Sequence, residues 1–566
     1  MAWYCTLDAD TYDEERERFE WDLPADYNLA HDFLRKHGDT DRTALYQAYS
    51  DGRRESYTFD DLDRLSNRLA NGLRELGIER GDRVAVVLSQ RPANLLTHLA
   101  CWKLGAVSLP LSILFGSEGL RYRLEDSSTE LVVCNPERAG VVREVAPDCE
   151  ALEGVLVAGT DKGDIGDRSD EPNSSERDGT PAVRRFEDAL AAEESFEIVP
   201  TDAETPAIVM YTSGSTGPPK GVLHTHGVWV GHCPAFAMYF ERDLEGTYWT
   251  PADWAWIGAL GDLVFPALHY GQPVVGYPMG KFDAETAFSL LAEFDVTGAF
   301  LPPTAIRMLM DVENPTERYD LSLEAICSGG EPLTPEILTW AAETLGEVPV
   351  NELYGQTEAN LLVTNCQGWF PAQAGSMGKP VPGHDVAVLD SESGEAMPEG
   401  EVGEIAVKRP GDPVVFEEYL NEPEKTEAAT IGEWHLTGDL GYRDAEGYFW
   451  FKARDDDVII TSGYRVGPGE VESTLLEHEA VSQVGVIGVP DEQRGEVIKA
   501  VVELASGTEG SDALREKLRD LVRENLAKYE YPREIEFSEE LPQTTTGKIQ
   551  RRKLREREGT DDGSET

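Results

Sequence analysis

The stretch Tyr211-Thr-Ser-Gly-Ser-Thr-Gly-Pro-Pro-Lys-Gly221 gathers three glycines, four aliphatic hydroxyls and one lysine within eleven residues. Glycine lets a backbone turn tightly and approach a ligand closely. Successive backbone N–H groups around Gly214 and Gly217, with the hydroxyls of Thr212, Ser213, Ser215 and Thr216, can cradle phosphate oxygens, and Lys220 adds positive charge. The common GxxxxGK[ST] nucleotide loop does not fit, and a flexible Gly/Ser loop is the plain alternative. Two later runs offer compatible chemistry. Ile326-Cys-Ser-Gly-Gly330-Glu331-Pro332 ends a strand in glycines, the place where sheets present ligands. Val350-Asn-Glu352-Leu353-Tyr354-Gly355-Gln356-Thr357-Glu358 also follows a strand. There Tyr354 can lie against a purine, Thr357 can bond a phosphate and Glu358 can ligate Mg²⁺ through oxygen. Taken singly, each run also reads as a turn.

These residues need a scaffold that brings strand ends together. Ala207-Ile-Val-Met210 reads as a buried strand entering the first loop. Upstream, a helical pattern opens at Tyr57–Leu62, with Thr58 or Asp60 as N-cap, and stops at Gly77. A buried strand over 84–88, a helix over about 92–104 and strands at 107–111 and 131–134 follow. Strand–helix–strand alternation builds parallel sheets covered by helices. Residues 160–184 change to Asp, Gly, Ser, Glu and Pro without period and read as an exposed surface insertion.

With 566 residues the chain exceeds one core, and 40% hydrophobic residues suit a globular enzyme. The 106 acidic residues against 50 basic ones give a net charge of −56, which repels nucleic acid and anionic membrane surfaces. The excess is spread along the chain, so salt adaptation is expected. The seven scattered cysteines read as reduced thiols, and the N-terminus carries no signal-peptide pattern. Leu95–Phe115 is interrupted by His98 and Lys103 and makes a poor membrane span. A cytoplasmic enzyme is the expectation, and a homo-oligomer stays open. The imidazoles of His224 and His226 have no carboxylate or cysteine cluster nearby to complete a metal site. Trp254 and Trp256 beside Gly258 and Gly261 can shape an apolar pocket or pack as ordinary core.

The wording TSGSTGPPKG, then SGGE (328–331) and YGQTE (354–358), resembles the signature motifs of the adenylate-forming enzymes in order and spacing. The resemblance runs over roughly residues 30 to 555. It continues through Thr437-Gly-Asp439, Tyr448–Arg454, Ser462–Glu470 and Leu541–Arg551. It implies a fold of α/β plus α+β: a large N-terminal AMP-binding domain (1–455) of two subdomains with a small β-barrel, and a small C-terminal lid (456–566). The hinge falls at Asp456 and a frayed tail at about 557–566. By resemblance, Asp439 accepts the ribose hydroxyls, Arg454 and Arg465 reach ribose or phosphate, and Lys548 reaches the carboxylate and α-phosphate. ATP, Mg²⁺ and coenzyme A are the implied cofactors, with a small carboxylic acid as substrate.

The implied reaction has two steps. A carboxylate attacks the α-phosphate of ATP, giving acyl-adenylate and pyrophosphate; coenzyme A then takes the acyl group and releases AMP. The acyl-binding segment falls at Trp256 and Gly258. Acetate-specific relatives carry Trp-Trp where this chain has Tyr354-Gly355, so Gly355 is expected to open a longer tunnel for acids from propionate to medium chain. An acetate–CoA ligase and a free-standing adenylation enzyme that loads a carrier protein are the alternatives.

Overall fold

The structure is a computed structural model. It describes residues 5–558 apart from 39, 160–180, 213–217, 331–332, 347, 455–456, 462–463, 492–494, 506, 527–529 and 545–547. Ser213, Gly214, Ser215, Thr216, Gly217, Glu331, Pro332 and Asp456 therefore lie outside the described residues, as does the side chain of Arg465.

Local sequence rules account well for the first third of the chain. The helix Phe59–Glu75 is capped by Thr58, whose hydroxyl accepts the Asp61 N–H while the Asp61 carboxylate takes the Thr58 N–H. Thr58, not Asp60, is the cap: the helix begins at Phe59, so Asp60 already lies in its first turn, and the Thr58–Asp61 exchange closes the reciprocal pair. Gly77 has φ +95°, the left-handed conformation that ends such a helix. The helix Pro92–Leu104 is buried on every side. It starts with proline, which needs no donor there, and stops at left-handed Gly105.

The chain divides into two compact units. The first comprises Met1–Thr212, Pro219–Val386 and Val407–His435; the second is built mainly of Ala387–Ala406 and Leu436–Thr566. The first unit holds two large mixed sheets. One has eight strands, in the order Glu418–Tyr419, Gly221–Thr225, Pro206–Tyr211, Val107–Pro110, Arg83–Val87, Leu131–Cys134, Gly154–Val157 and Ala182–Arg185. The last of these is parallel to its neighbour, so residues 182–184 belong to an edge strand and not to the expected insertion. Ala182 to Arg185 pair with Gly154 to Val157, and Val183 packs against the core of this sheet. The other sheet has nine strands, with Thr247–Trp249, Val296–Phe300, Ala325–Gly329 and Val350–Gln356 adjacent and parallel. Stacked aliphatic and aromatic side chains such as Trp249, Phe288, Ile306 and Ile326 fill its core.

A small β region drawn from 386–454 forms a five-stranded sheet. The second unit contains the sheet Tyr464–Val466, Ile459–Thr461, Gly495–Leu504 and Val481–Asp491, with Glu534–Ser538 parallel to Gly495–Leu504. Helices Pro468–Leu476 and Asp512–Asn525 cover it, with Val471, Leu475, Leu518 and Val522 in its core. This is a large α/β part followed by a smaller α+β part. Among the described residues no helix is long and apolar enough to cross a membrane.

Candidate active site

In the first unit, the strands Pro206–Tyr211 and Gly221–Thr225 form an antiparallel hairpin, with Tyr211 opposite Gly221. The Thr212 N–H donates to the Lys220 carbonyl at 3.0 Å, closing the base of the glycine-rich loop. Tyr211 is anchored by its hydroxyl to Asp126 at 2.7 Å, so the entry to the loop is fixed. Lys220 lies 4.3 Å from the centroid of the Tyr419 ring. A cation over an aromatic face is attracted by the ring quadrupole. The same tyrosine donates its hydroxyl to Glu358 Oε1 at 2.8 Å. Lysine, tyrosine and glutamate thus form one continuous chain of contacts between two motifs 138 positions apart in sequence (358 − 220).

Thr357 and Glu358 sit at the tip of a tight hairpin between Val350–Gln356 and Ala359–Thr364. The tip is fastened from two sides. His224 Nε2 lies 2.6 Å from the Thr357 carbonyl, and the Phe416 N–H donates to the Glu358 carbonyl at 2.8 Å. Burial pushes the His224 imidazole down to about 4, so it is neutral near pH 7 and donates from Nε2. His226 is used elsewhere: its Nδ1 accepts the Leu29 N–H at 3.2 Å. The two imidazoles therefore serve separate backbone groups, and no cluster of three or more metal-ligating side chains occurs among the described residues.

The strands Ala325–Gly329 and Val350–Gln356 run parallel, with Gly329 opposite Leu353. This register brings Ser328 to Gly330 and the start of the YGQTE run to the same end of the sheet. Gly330 has φ +92°, a conformation that favours glycine. Glu352 is buried, and its Oε2 accepts the Leu333 N–H at 3.2 Å, so it shapes the loop after Gly330 from within. Burial pushes its carboxyl up to about 8. Leu353 packs its side chain against Gly329, where a Cβ would come within 2.3 Å of it. Tyr354, Gln356 and Thr357 are half-buried, which leaves surface for a ligand.

The tryptophans separate. Trp254 is fully buried, whereas Trp256 is half-buried against Phe115 with ring centroids 6.0 Å apart. Gly258 faces Phe300 and Asp262, at 3.3 and 3.5 Å from an ideal Cβ. Gly355 does not open onto empty space: a Cβ there would lie 2.2 Å from Asn360 Oδ1. Asn360 in turn donates to Asp262 Oδ1 at 2.6 Å, and burial pushes the Asp262 carboxyl up to about 8. Packing of the Asn360 amide gives this glycine a structural reason of its own. Asp262, Asn360 and Tyr419 carry no recognisable local signal; only the fold brings them to the motifs.

In the second unit, the strands Trp434–Arg443 and Phe449–Arg454 place Asp439 directly opposite Arg454. Arg454 Nη1 lies 3.3 Å from Asp439 Oδ1. Asp439 is buried, whereas Arg454 is half-buried. The bend that presents them is held by Gly438 (φ +72°), whose N–H donates to Glu404 at 2.8 Å. A paired carboxylate with two acceptor oxygens suits a vicinal diol. Lys548 is exposed, and its backbone exchanges bonds with Thr544 at 2.7 and 3.1 Å.

The AMP-binding enzyme profile matches residues 33–420, and the AMP-binding enzyme C-terminal domain profile matches 470–548. Acetyl-coenzyme A synthetase of Bacillus subtilis (strain 168) is 36% identical, over 96% of this chain and 94% of that protein. The mitochondrial acyl-coenzyme A synthetase ACSM3 of Rattus norvegicus is 34% identical, over 97% and 93%. Among solved structures, the anthranilate CoA ligase AuaEII in complex with anthranoyl-AMP superposes with a TM-score of 0.82 at 27% identity, covering 94% of this chain and 98% of that one. A Brucella canis acyl-CoA synthetase covers 97% and 99%, with a TM-score of 0.72 at 32% identity. The chain belongs to the AMP-binding enzyme family, as an AMP-forming acid–CoA ligase that uses ATP and coenzyme A.

Proposed function

We propose that this protein activates a short- to medium-chain carboxylic acid as its acyl-adenylate and passes the acyl group to coenzyme A. The observation that carries the residue assignment is the contact chain Lys220–Tyr419–Glu358, with Thr357 held by His224. It supports a phosphate-handling role for the 212–220 loop and the hairpin tip together. In the first step a carboxylate oxygen bonds to the α-phosphorus and the bond to pyrophosphate breaks. Backbone N–H groups and hydroxyls of Thr212 to Gly217, with Lys220 and Thr357, stabilise the charge that develops on the phosphate oxygens. Lys548 supplies a compact ammonium to the carboxylate and α-phosphate. Gly330, Glu331, Pro332, Tyr354, Gln356 and Gly355 border the nucleotide and acid. Asp439 takes the ribose hydroxyls, with Arg454 and Arg465 beside it. In the second step the coenzyme A sulfur bonds to the acyl carbon and AMP leaves with the electron pair of the broken C–O bond. Asp456 is the hinge of the lid exchange between steps.

The residues fit Mg²⁺. Glu358 is a buried hard-oxygen donor held in one orientation by Tyr419, and magnesium–nucleotide sites use one or two carboxylates with phosphates and water. When bound there, Mg²⁺ would neutralise phosphate charge.

The acid is the open variable. The relatives named for acetyl and for other acyl groups support the range from acetate upward. The filled space beside Gly355 favours its short end, an acetate or propionate enzyme. The test is coenzyme A-dependent AMP formation in molar KCl with acids from acetate to decanoate. A maximum at about four to eight carbons, the reach of an ordinary apolar pocket, identifies a medium-chain enzyme. A maximum at acetate or propionate identifies the short-chain reading. No AMP with any acid, with pyrophosphate exchange on amino acids, overturns both. A cytoplasmic location goes with this reading.

A further inference from the structure

Lys548 sits at the end of a narrow ladder. The Gln550 N–H donates to the Pro542 carbonyl at 2.8 Å, Gln543 pairs with Ile549, and the Thr544 N–H donates to the Lys548 carbonyl at 2.7 Å. Apolar anchors hold both legs: Leu541 and Leu554 are each 2% exposed, in one cluster with Ile487, Val489, Val497 and Val501. Such contacts hold the ladder in place but are non-directional. Directional restraint comes from Arg551, three residues past Lys548.

The Arg551 guanidinium is gripped on two edges. Its Nε and Nη2 donate to Glu472 Oε1 and Oε2 at 3.0 and 2.5 Å, and its Nη1 donates to Asp457 Oδ2 at 2.9 Å. The other Asp457 oxygen accepts Arg555 Nη2 at 2.6 Å. Glu472 also accepts the Val486 N–H at 2.8 Å, tying the cluster to the Val481–Asp491 strand. The four side chains are 13–27% exposed. A planar guanidinium with bidentate partners fixes orientation as well as position. Asp457 directly follows the proposed hinge residue, Asp456.

We propose that Asp457, Glu472, Arg551 and Arg555 form an ion lock that positions Lys548 for the adenylation step by fastening its loop to the hinge-proximal segment. These are positioning residues and touch no substrate. The inference rests on the role given to Lys548 above. Because the lock acts through Lys548 alone, it serves acyl-adenylate formation and not thioester formation.

The test measures the half-reactions separately in the full chain: acid-dependent pyrophosphate release, and AMP release from supplied acyl-adenylate and coenzyme A. Asp457→Asn is isosteric and weakens both arginine contacts. It should lower the first rate about 100-fold, the scale of a misplaced catalytic group, and leave the second within about twofold. Arg555→Gln breaks the outer contact while leaving the Arg551–Glu472 and Arg551–Asp457 bonds in place, and should lower the first rate about tenfold with the melting temperature unchanged. It decides the matter if Asp457→Asn folds poorly. Equal loss of both half-reactions in Arg555→Gln, or loss of neither, overturns the lock. A wild-type protein inactive in the first half-reaction with every acid overturns instead the function on which the lock depends.

Discussion

Replacing Gly355 by alanine tests the finding that Asn360 fills the space beside it. The added methyl would lie 2.2 Å from Asn360 Oδ1 and 3.0 Å from Asn360 Cα. An ordinary carbon–oxygen contact is about 3.3 Å, so the amide must move by about 1 Å. That movement sacrifices the 2.6 Å bond from Asn360 to the buried Asp262 carboxyl. Overpacking costs about 1–3 kcal/mol and an unsatisfied buried acceptor about 1–3 kcal/mol, giving about 2–6 kcal/mol together. At roughly 2 °C per kcal/mol for a large domain, the melting temperature should fall by about 4–12 °C. The assay is thermal unfolding of the ligand-free protein as wild type, Gly355→Ala, Asn360→Ala and the double variant. With Asn360 truncated, adding the Gly355→Ala change should cost less than about 1 kcal/mol, because the clashing oxygen is gone. A single Gly355→Ala variant that melts with the wild type would refute the reasoning. So would an equal cost in both backgrounds, since the two positions would then not touch.

Three further outcomes are expected. Burial raises Glu352 from 4.5 to about 8, so between those pH values the native state keeps a proton that the unfolded chain has released. The unfolded chain then binds fewer protons, and stability falls as pH rises, by at most about 5 kcal/mol from this group. Urea midpoints at pH 5 and pH 8 should converge in Glu352→Gln, and an unchanged slope would count against the buried acid. Tyr419→Phe keeps the ring beside Lys220 but removes the hydrogen bond to Glu358; adenylation at limiting Mg²⁺ should drop about 10- to 100-fold, and an unaltered Mg²⁺ titration would sink that role. A net charge of −56 repels itself over a screening length of about 10 Å at 0.1 M salt and about 3 Å at 1 M. Melting should therefore rise with KCl, and full stability in dilute buffer would reject salt adaptation.

What sequence settled and what folding settled differ for physical reasons. Capping and apolar runs are local, so Thr58, Gly77, the Pro92–Leu104 helix and the buried strands were legible from a few neighbouring residues. The motif letters around 212–220, 354–358 and 437–439 pointed to phosphate, magnesium and ribose only through their joint resemblance to a known family, since a short polar run taken singly also fits a turn. Residues 182–184 show no strand signal of their own because three residues after a long polar run are too few to carry a pattern, and an edge strand depends on its partner strand. The division into compact units, which groups Ala387–Ala406 with the C-terminal residues, is a property of long-range contacts that no boundary composition reveals. The sequence alone determined that this is an ATP-dependent acid-activating chain. Only the tertiary structure decided that Tyr419 joins Lys220 to Glu358, that His224 holds Thr357, and that Asn360 occupies the space beside Gly355. Those partners lie up to two hundred positions away (419 − 220 = 199) and are set by strand register and burial, and the chain carries no local mark of either.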